Sequence, residues 1–408
     1  MTDSVRLKWL LTESDVRAGA DAGVLPLLSV SISWGVRRRE ASDMTTRAAS
    51  EDLSNYKLCR AGDLVINRMR AFQGALGIAP EDGVVSPDYA VLRVDPRVDK
   101  RWLNYFLTSG FTVATMASLV RGIGGTEAGN VRTPRLNVSD LQSMTVPLVS
   151  ADEQRAIADY LDRETTRIDT LIEEQQRLIE MLRERRGAVV EEAVAIVDTS
   201  GARLKHIIRS VRQGWSPQCC SWPADGVETW AVLKAGAANG GYFRPMENKE
   251  LPEEQTPRPE ITVVRGDLIV SRANTRELVG SAAVVEGDFP RLMLCDKLYA
   301  FSLDESRADS RFVAAVLGSR RWRDLIELEA TGASHSMLNI SQSDIVNLPM
   351  QLPPVDEQRR LMTYLNSETA KADTLIAESE RLIELARERR AALITVAVTG
   401  QVDVREMV

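Results

Sequence analysis

The sequence predicts an α+β chain: two globular domains separated by two long helices that form an antiparallel coiled coil, with a pseudo-two-fold internal repeat. Three observations carry this. The segment starting at Asp152 recurs 204 positions later, at Asp356, without a gap and with roughly three fifths of its positions identical, far more than chance gives over about 37 residues. Within it, apolar residues recur at alternating spacings of four and three, the signature of a coiled-coil seam. Outside it, short β-rich runs bounded by turn residues alternate with helical stretches.

The first domain spans 1–150, with strand-like runs at Asp63–Asn67 and Tyr89–Val94 and a helical stretch near Arg101–Leu107. The first helical repeat follows at 151–197. Ser150 and Glu153 offer a capping box, and no Pro or Gly interrupts the pattern before Gly187. Its seam reads Ile157, Leu161, Glu164, Ile168, Leu171, Gln175, Leu178, Leu182, Arg185 and Val189, widened by Ile172 and Ile179. A helix of about 37 residues is about 55 Å long at 1.5 Å per residue, longer than one domain needs. The second domain spans 198–354, with strands at Asp267–Ser271 and Leu298–Leu303 and a helical stretch near Arg311–Leu325. The second helical repeat covers 355–400 and leaves a tail at 401–408. Its seam reads Leu361, Leu365, Glu368, Ala372, Leu375, Ser379, Leu382, Ala386, Arg389 and Leu393, and Gly400 supplies a stop. A parallel pair would set Glu164 beside Glu368 and Arg185 beside Arg389. Antiparallel pairing brings Glu164 towards Arg389 and Glu368 towards Arg185, so opposite charges select it. The two domains are then expected at opposite ends of a rod.

The repeat also joins the domains. Ala61-Gly62-Asp63-Leu64-Val65-Ile66-Asn67-Arg68 matches Arg265-Gly266-Asp267-Leu268-Ile269-Val270-Ser271-Arg272 at the same offset, but the domains have otherwise diverged.

Chemistry for catalysis is missing from the sequence. There is no phosphate-cradling G-x-x-x-x-G-K-[ST]. Arg121–Thr126 is glycine-rich without the spacing of a dinucleotide site. The two histidines, His206 and His335, lack metal-ligand spacing. Cys59, Cys219, Cys220 and Cys295 form no C-x-x-C and read as reduced thiols. No run of about 18 apolar residues offers a membrane span, and the start MTDSVRLKWL lacks a secretory pattern, so a cytoplasmic chain is expected.

The net charge of −7 excludes a uniformly basic nucleic-acid binder. More than half of that charge lies on the two helical repeats, which leaves near-neutral domains that contact DNA through local basic surfaces. The candidates are arginines and amides on loops beside strands: Arg37, Arg38 and Arg39 after Trp34-Gly35; Asn67, Arg68, Arg70 and Gln73 after the first strand; Gln213 and Ser216 at the start of the second domain; and Arg272, Asn274 and Arg276 after the strand equivalent to the first. Arg and Asn/Gln are the side chains that read guanine and adenine edges with two hydrogen bonds.

Taken together, Gly62–Ala71, Gly74–Gly77, Ser86-Pro87-Asp88-Tyr89, Gly266–Arg272, Leu278-Val279-Gly280, the two Asp-Glu-Gln-Arg helix starts and Ala397-Val398-Thr399-Gly400 resemble the specificity subunits of Type I restriction–modification enzymes over nearly the whole chain. The resemblance implies two target recognition domains, each reading half of an interrupted sequence on double-stranded DNA, with the helices as spacer and as docking site for two modification subunits. It implies no catalytic residue, cofactor or metal in this chain. S-adenosylmethionine would be held by the methyltransferase partners, which methylate adenine, and ATP with Mg by restriction subunits carrying a translocase motor. Two rival readings stand beside it: a coiled-coil protein-interaction scaffold without DNA readout, and a standalone enzyme using Asp63 or Asp267 as metal ligand or base.

Overall fold

The computed structural model of the chain describes residues 4–40, 53–120, 135–334, 337–402 and 404. The glycine-rich Arg121–Thr126 segment and His335 lie outside the described residues. The chain divides into two compact units, Met1–Gln176 with Glu380–Val408, and Arg177–Ser379. Among the described residues no helix is long and apolar enough to cross a membrane.

In the first unit, strands Ser4–Arg6 and Thr145–Pro147 pair and tie the beginning of the domain to its end. The main sheet is antiparallel, in the order Leu11–Ser14, Ala90–Val94, Leu64–Ile66, Leu76–Ile78. Three helices cover it: α1 (Lys100–Thr108), α2 (Gly110–Leu119) and α3 (Val138–Ser143). Helix α1 buries Trp102, Leu103, Phe106 and Leu107, one face at helical spacing, and Asp99 caps it by accepting from the backbone N–H groups of Arg101 and Trp102. A hairpin, Leu28–Ser31 with Gly35–Arg38, and the pair Lys57–Cys59 with Gly83–Val85 complete the domain. Helix α4 (Ala151–Val194) follows.

The second unit repeats this order. Asp198–Arg203 pairs with Pro349–Gln351, and the sheet runs Ile208–Gln213, Leu298–Leu303, Leu268–Ser271, Ala282–Val284. Helices α5 (Ser310–Gly318), α6 (Arg320–Glu329), α7 (Gln342–Val346) and α8 (Val355–Val398) take the places of the first four. The helical stretch expected over Arg311–Leu325 is therefore two helices. Ser319 breaks it with extended φ/ψ of −73° and 155°, and its hydroxyl donates to the Val316 carbonyl. The Gly-Asp-Leu of each copy is a turn that feeds a strand. Gly62 and Gly266 sit at φ +89° and +90°, where a side chain is strained. Asp63 accepts from the Arg60 N–H at 2.9 Å, and Asp267 accepts from the Val264 N–H at 2.7 Å.

Each unit contains half of both long helices, packed antiparallel. In the first unit Ile157 and Leu161 of α4 share a core with Ile394, Ala397 and Val398 of α8. In the second, Ala193 and Val194 share one with Met362 and Leu365. The polar seam pairs differ from those expected, with each arginine one residue and each carboxylate five residues further along its helix. Arg390 Nε meets Asp169 at 2.9 Å and Arg186 Nε meets Asp373 at 3.1 Å. This is one bridge seen twice, since Asp373 and Arg390 lie 204 positions beyond Asp169 and Arg186. Glu164 turns instead to Arg167 of its own helix. Glu368 turns to Lys371, whose hydrogen bond, helped by the charge of Arg185, holds its carboxyl below the usual range.

The apolar seam shifts likewise. Ile157, Leu161, Ile168, Leu365, Ala372, Ser379 and Ala386 are buried as read. In the alternate positions Ile179 and Ile383 are buried, Leu171, Leu178, Leu182 and Leu361 are half-buried, and Leu375 and Leu382 are 47% and 40% exposed. Both helices carry adjacent Leu-Ile pairs, and at 178–179, 375–376 and 382–383 the isoleucine is more buried than the leucine. Gly400, at φ +71°, ends α8 as expected.

Burial pushes the Cys59 thiol up to about 12 and that of Cys295 to about 11. Both therefore stay protonated at about pH 8, and they are shielded from reagents. Maleimide treatment of the native chain followed by mass spectrometry is expected to label Cys219 and Cys220, with Cys59 and Cys295 reacting only after denaturation.

Candidate nucleic-acid interface

The first unit gathers its candidates into one patch and sends others away from it. On the strand Gly35–Arg38 successive side chains alternate faces. Arg37 stacks over the exposed Trp34 ring at 4.2 Å and reaches Glu40 at 3.5 Å. Arg38 grips Glu81 with two hydrogen bonds of 2.6 and 3.1 Å. Arg39 lies beyond the strand and, with Arg70, acts electrostatically on Tyr89. Burial raises the pKa of that phenol, and the two arginines oppose the shift.

Asn67 spends its side-chain oxygen on the Met69 N–H, closing the turn after its strand. Arg68 is half-buried and donates to the Leu136 carbonyl at 3.3 Å and the Asn137 side chain at 3.5 Å. Burial first and then the charge of Arg135 lower its pKa, and a guanidinium remains charged regardless. Arg135 meets Asp88 at 3.4 Å. Gln73 is exposed on a single helical turn beside Arg70. Arg39, Arg68, Arg70 and Arg135 therefore surround Asp88 and Tyr89. Asp88 and Glu13 both act on Arg68, and the four guanidiniums outnumber these carboxylates around the Tyr89 ring.

The second unit builds its patch around the turn Cys295–Lys297. Gln213 ends a strand opposite Tyr299. Gly214 passes so close to the Leu294 and Cys295 backbone that an added Cβ would sit 2.2 Å from a carbonyl oxygen, so only glycine fits. Trp215 N–H donates to the Leu294 carbonyl at 3.0 Å, and the Ser216 hydroxyl bonds Asp296. Arg272 donates its backbone N–H to Lys297 at 2.8 Å and its guanidinium to the Asp296 carbonyl at 3.3 Å. Arg258 stacks on Trp215 at 4.2 Å. Asn274 donates to Asn239 at 3.1 Å and Ser271 at 3.3 Å. Arg276 stands apart, held by Glu327 through two hydrogen bonds of 3.0 and 3.2 Å that raise its pKa.

Tyr89 joins these patches from the Ser86–Tyr89 segment already quoted, and Arg135, Asn239 and Arg258 join them without any signal in the sequence that marks them as candidates. They come from segments distant in the chain, and no local spacing points to them. Each patch combines guanidinium and amide donors with an aromatic ring, groups able to hold phosphates and read base edges. Away from the patches, His206 Nδ1 accepts from the Arg203 N–H at 3.1 Å, a local turn contact. Among the described residues no three His, Cys, Asp or Glu side chains gather as metal ligands.

No family model matches the chain. It is similar to the Type I restriction enzyme EcoEI specificity subunit of Escherichia coli, with 32% identity over 163 residues, which are 40% of this chain and 27% of that one. The StySPI specificity subunit of Salmonella potsdam is 21% identical over 325 residues, 76% of this chain and 67% of its own. The matched segment thus spans about a quarter of the first relative and two thirds of the second. The fold is shared with a chain from a study of complex assembly and conformational transition in the type I R-M system, at TM-score 0.70 and 17% identity with 98% of both chains covered. It is shared also with the HsdS subunit of Thermoanaerobacter tengcongensis, at TM-score 0.56 and 16% identity over 98% of this chain and 97% of that one. The resemblance to Type I specificity subunits read from the sequence is borne out.

Proposed function

We propose that this chain is the DNA-specificity subunit of a Type I restriction–modification complex. Each globular domain reads one half of an interrupted site, α4 and α8 set the gap between the halves, and the same helices dock two modification subunits. One observation carries the reading: the two units share a sheet order and a bridged helix pair but present different residues in their patches. A duplicated frame with unlike reading surfaces is what an asymmetric two-part site requires.

In this mechanism phosphate contacts by the arginines position each domain, and base-edge contacts identify the sequence. The chain supplies no chemistry. S-adenosylmethionine is held by the modification subunits, which extrude an adenine before methylating it, since its amino nitrogen is out of reach in a stacked duplex. ATP and Mg belong to restriction subunits that join the complex. The near-neutral domains bind DNA weakly by themselves, so affinity depends on the partners.

Methylation mapping of genomic DNA from cells with and without this chain tests the proposal. The expected result is an adenine-methylated motif in two parts with one fixed gap, present only with the chain. A methylome unchanged by the chain would favour the scaffold reading.

A further inference from the structure

The Asp-Glu-Gln-Arg start of each long helix contains an amide that DNA reading leaves without a role. Gln154 is 1% exposed and Gln358 is fully buried. Gln154 Oε1 accepts from the Asp99 N–H at 2.8 Å, and its Nε2 donates to the Val149 carbonyl at 2.8 Å. Gln358 Oε1 accepts from the Asp309 N–H at 2.9 Å, and its Nε2 donates to Pro353 at 2.7 Å and Arg307 at 2.9 Å. Asp99 and Asp309 cap α1 and α5, the helices that cover the two sheets. Each amide therefore fixes three parts to one another: the long helix, the segment leading into it and the first covering helix of its domain. The apolar contacts alongside resist separation but not sliding, because they have no preferred direction. A buried hydrogen-bonded amide has a direction, and misaligning it leaves backbone groups unpaired.

We infer that Gln154 and Gln358 are positioning residues that fix the orientation of each reading domain on its long helix, and through it the gap tolerated between the half-sites. The inference rests on the specificity-subunit reading above. The two units are also unequal. In the first, Arg101 bonds Asp159 and Asp162 at 2.8 and 2.7 Å, and the Tyr105 hydroxyl bonds Asp162 at 2.8 Å, all against the helix that carries Gln154. In the second, Ala315 and Asn366 occupy the places of Tyr105 and Asp162. Polar ties of the second domain from Arg320 N–H to Glu191 at 2.7 Å and from Arg186 to Tyr242 involve α4 rather than the helix that carries Gln358. The second domain thus depends more on its glutamine.

The test co-expresses the full chain with the modification subunits and maps methylated sites for wild type, Gln358→Ala, Gln154→Ala and the packing-preserving Gln358→Met. The expected result for Gln358→Ala and Gln358→Met is the same half-site letters with about a tenfold rise in methylation at gaps one base pair off, the size expected when one buried hydrogen-bond set is lost. Gln154→Ala is expected to shift the gaps less, and Gln154→Ala combined with Arg101→Ala and Tyr105→Phe about as much as Gln358→Ala. A purely structural glutamine lowers methylation equally at every site, and that outcome, or an unchanged single gap in Gln358→Met, overturns the inference. A wild-type complex that yields no two-part motif instead overturns the functional reading beneath it.

Discussion

Asp267→Ala is expected to destabilise the second unit by about 3 kcal/mol or more, the cost of breaking a buried ion pair by removing one partner. The Asp267 side chain is 4% exposed and pairs with Arg212, itself 23% exposed, while also accepting from the Val264 N–H. Removing it strands a largely buried guanidinium and a backbone donor together. The equivalent Asp63 is half-buried and holds the Arg60 N–H. Asp63→Ala is therefore expected to cost only about 1 kcal/mol, one ordinary hydrogen bond. Urea unfolding of the full chain measures both. Methylation by the assembled complex is expected to survive Asp63→Ala. Loss of activity there without loss of stability would restore the enzyme reading for this aspartate.

Replacing Arg39, Arg70 and Arg135 together by alanine is expected to weaken DNA binding of the assembled complex roughly a hundredfold, at ~1 kcal/mol per arginine, and to reduce the salt slope by about 1 for each guanidinium that neutralised a phosphate. The three side chains converge on Asp88 and Tyr89 from different parts of the first domain. Arg276→Ala removes a guanidinium already held by Glu327 and is expected to change affinity less than ~2-fold, since exposed pairs of this kind contribute little. Fluorescence anisotropy at several salt concentrations reads both. An unchanged slope in the triple variant would place the interface on another face.

The long helices are legible in the sequence because their signals are local: a 204-residue repeat and a periodic apolar pattern that needs no knowledge of what lies opposite. Their antiparallel direction is legible too, since seam charges distinguish the two orientations. The register is not. At 171–172, 178–179, 375–376 and 382–383 a leucine precedes an isoleucine, so two neighbouring apolar stripes fit the period equally well. The periodicity does not choose between them, and in the folded chain Leu375 and Leu382 are the ones left exposed. The break at Ser319 has a local signal, since Gly318 is a poor interior helix former and Ser319 a favoured cap, but the apolar and basic residues on either side continue the helical pattern across it. The candidate interface is half legible. Residue type and loop position point to Arg39, Arg68, Arg70 and Arg272, while the partners that neutralise Arg38 and Arg276, Glu81 and Glu327, lie 43 and 51 positions away. Gln154 and Gln358 read as ordinary polar residues on a helix, because their burial is decided by Asp99 and Asp309.

The sharing of both long helices by both units bears on synthesis of the chain. The core around Leu161 includes Ile394, Ala397 and Val398, so the first domain cannot close until the far end of the second long helix has been translated. The nascent chain must keep that core open while more than 200 further residues leave the ribosome, a long wait with apolar surface uncovered. A premature stop after residue 380 therefore damages the first unit, although every residue of the second has been made.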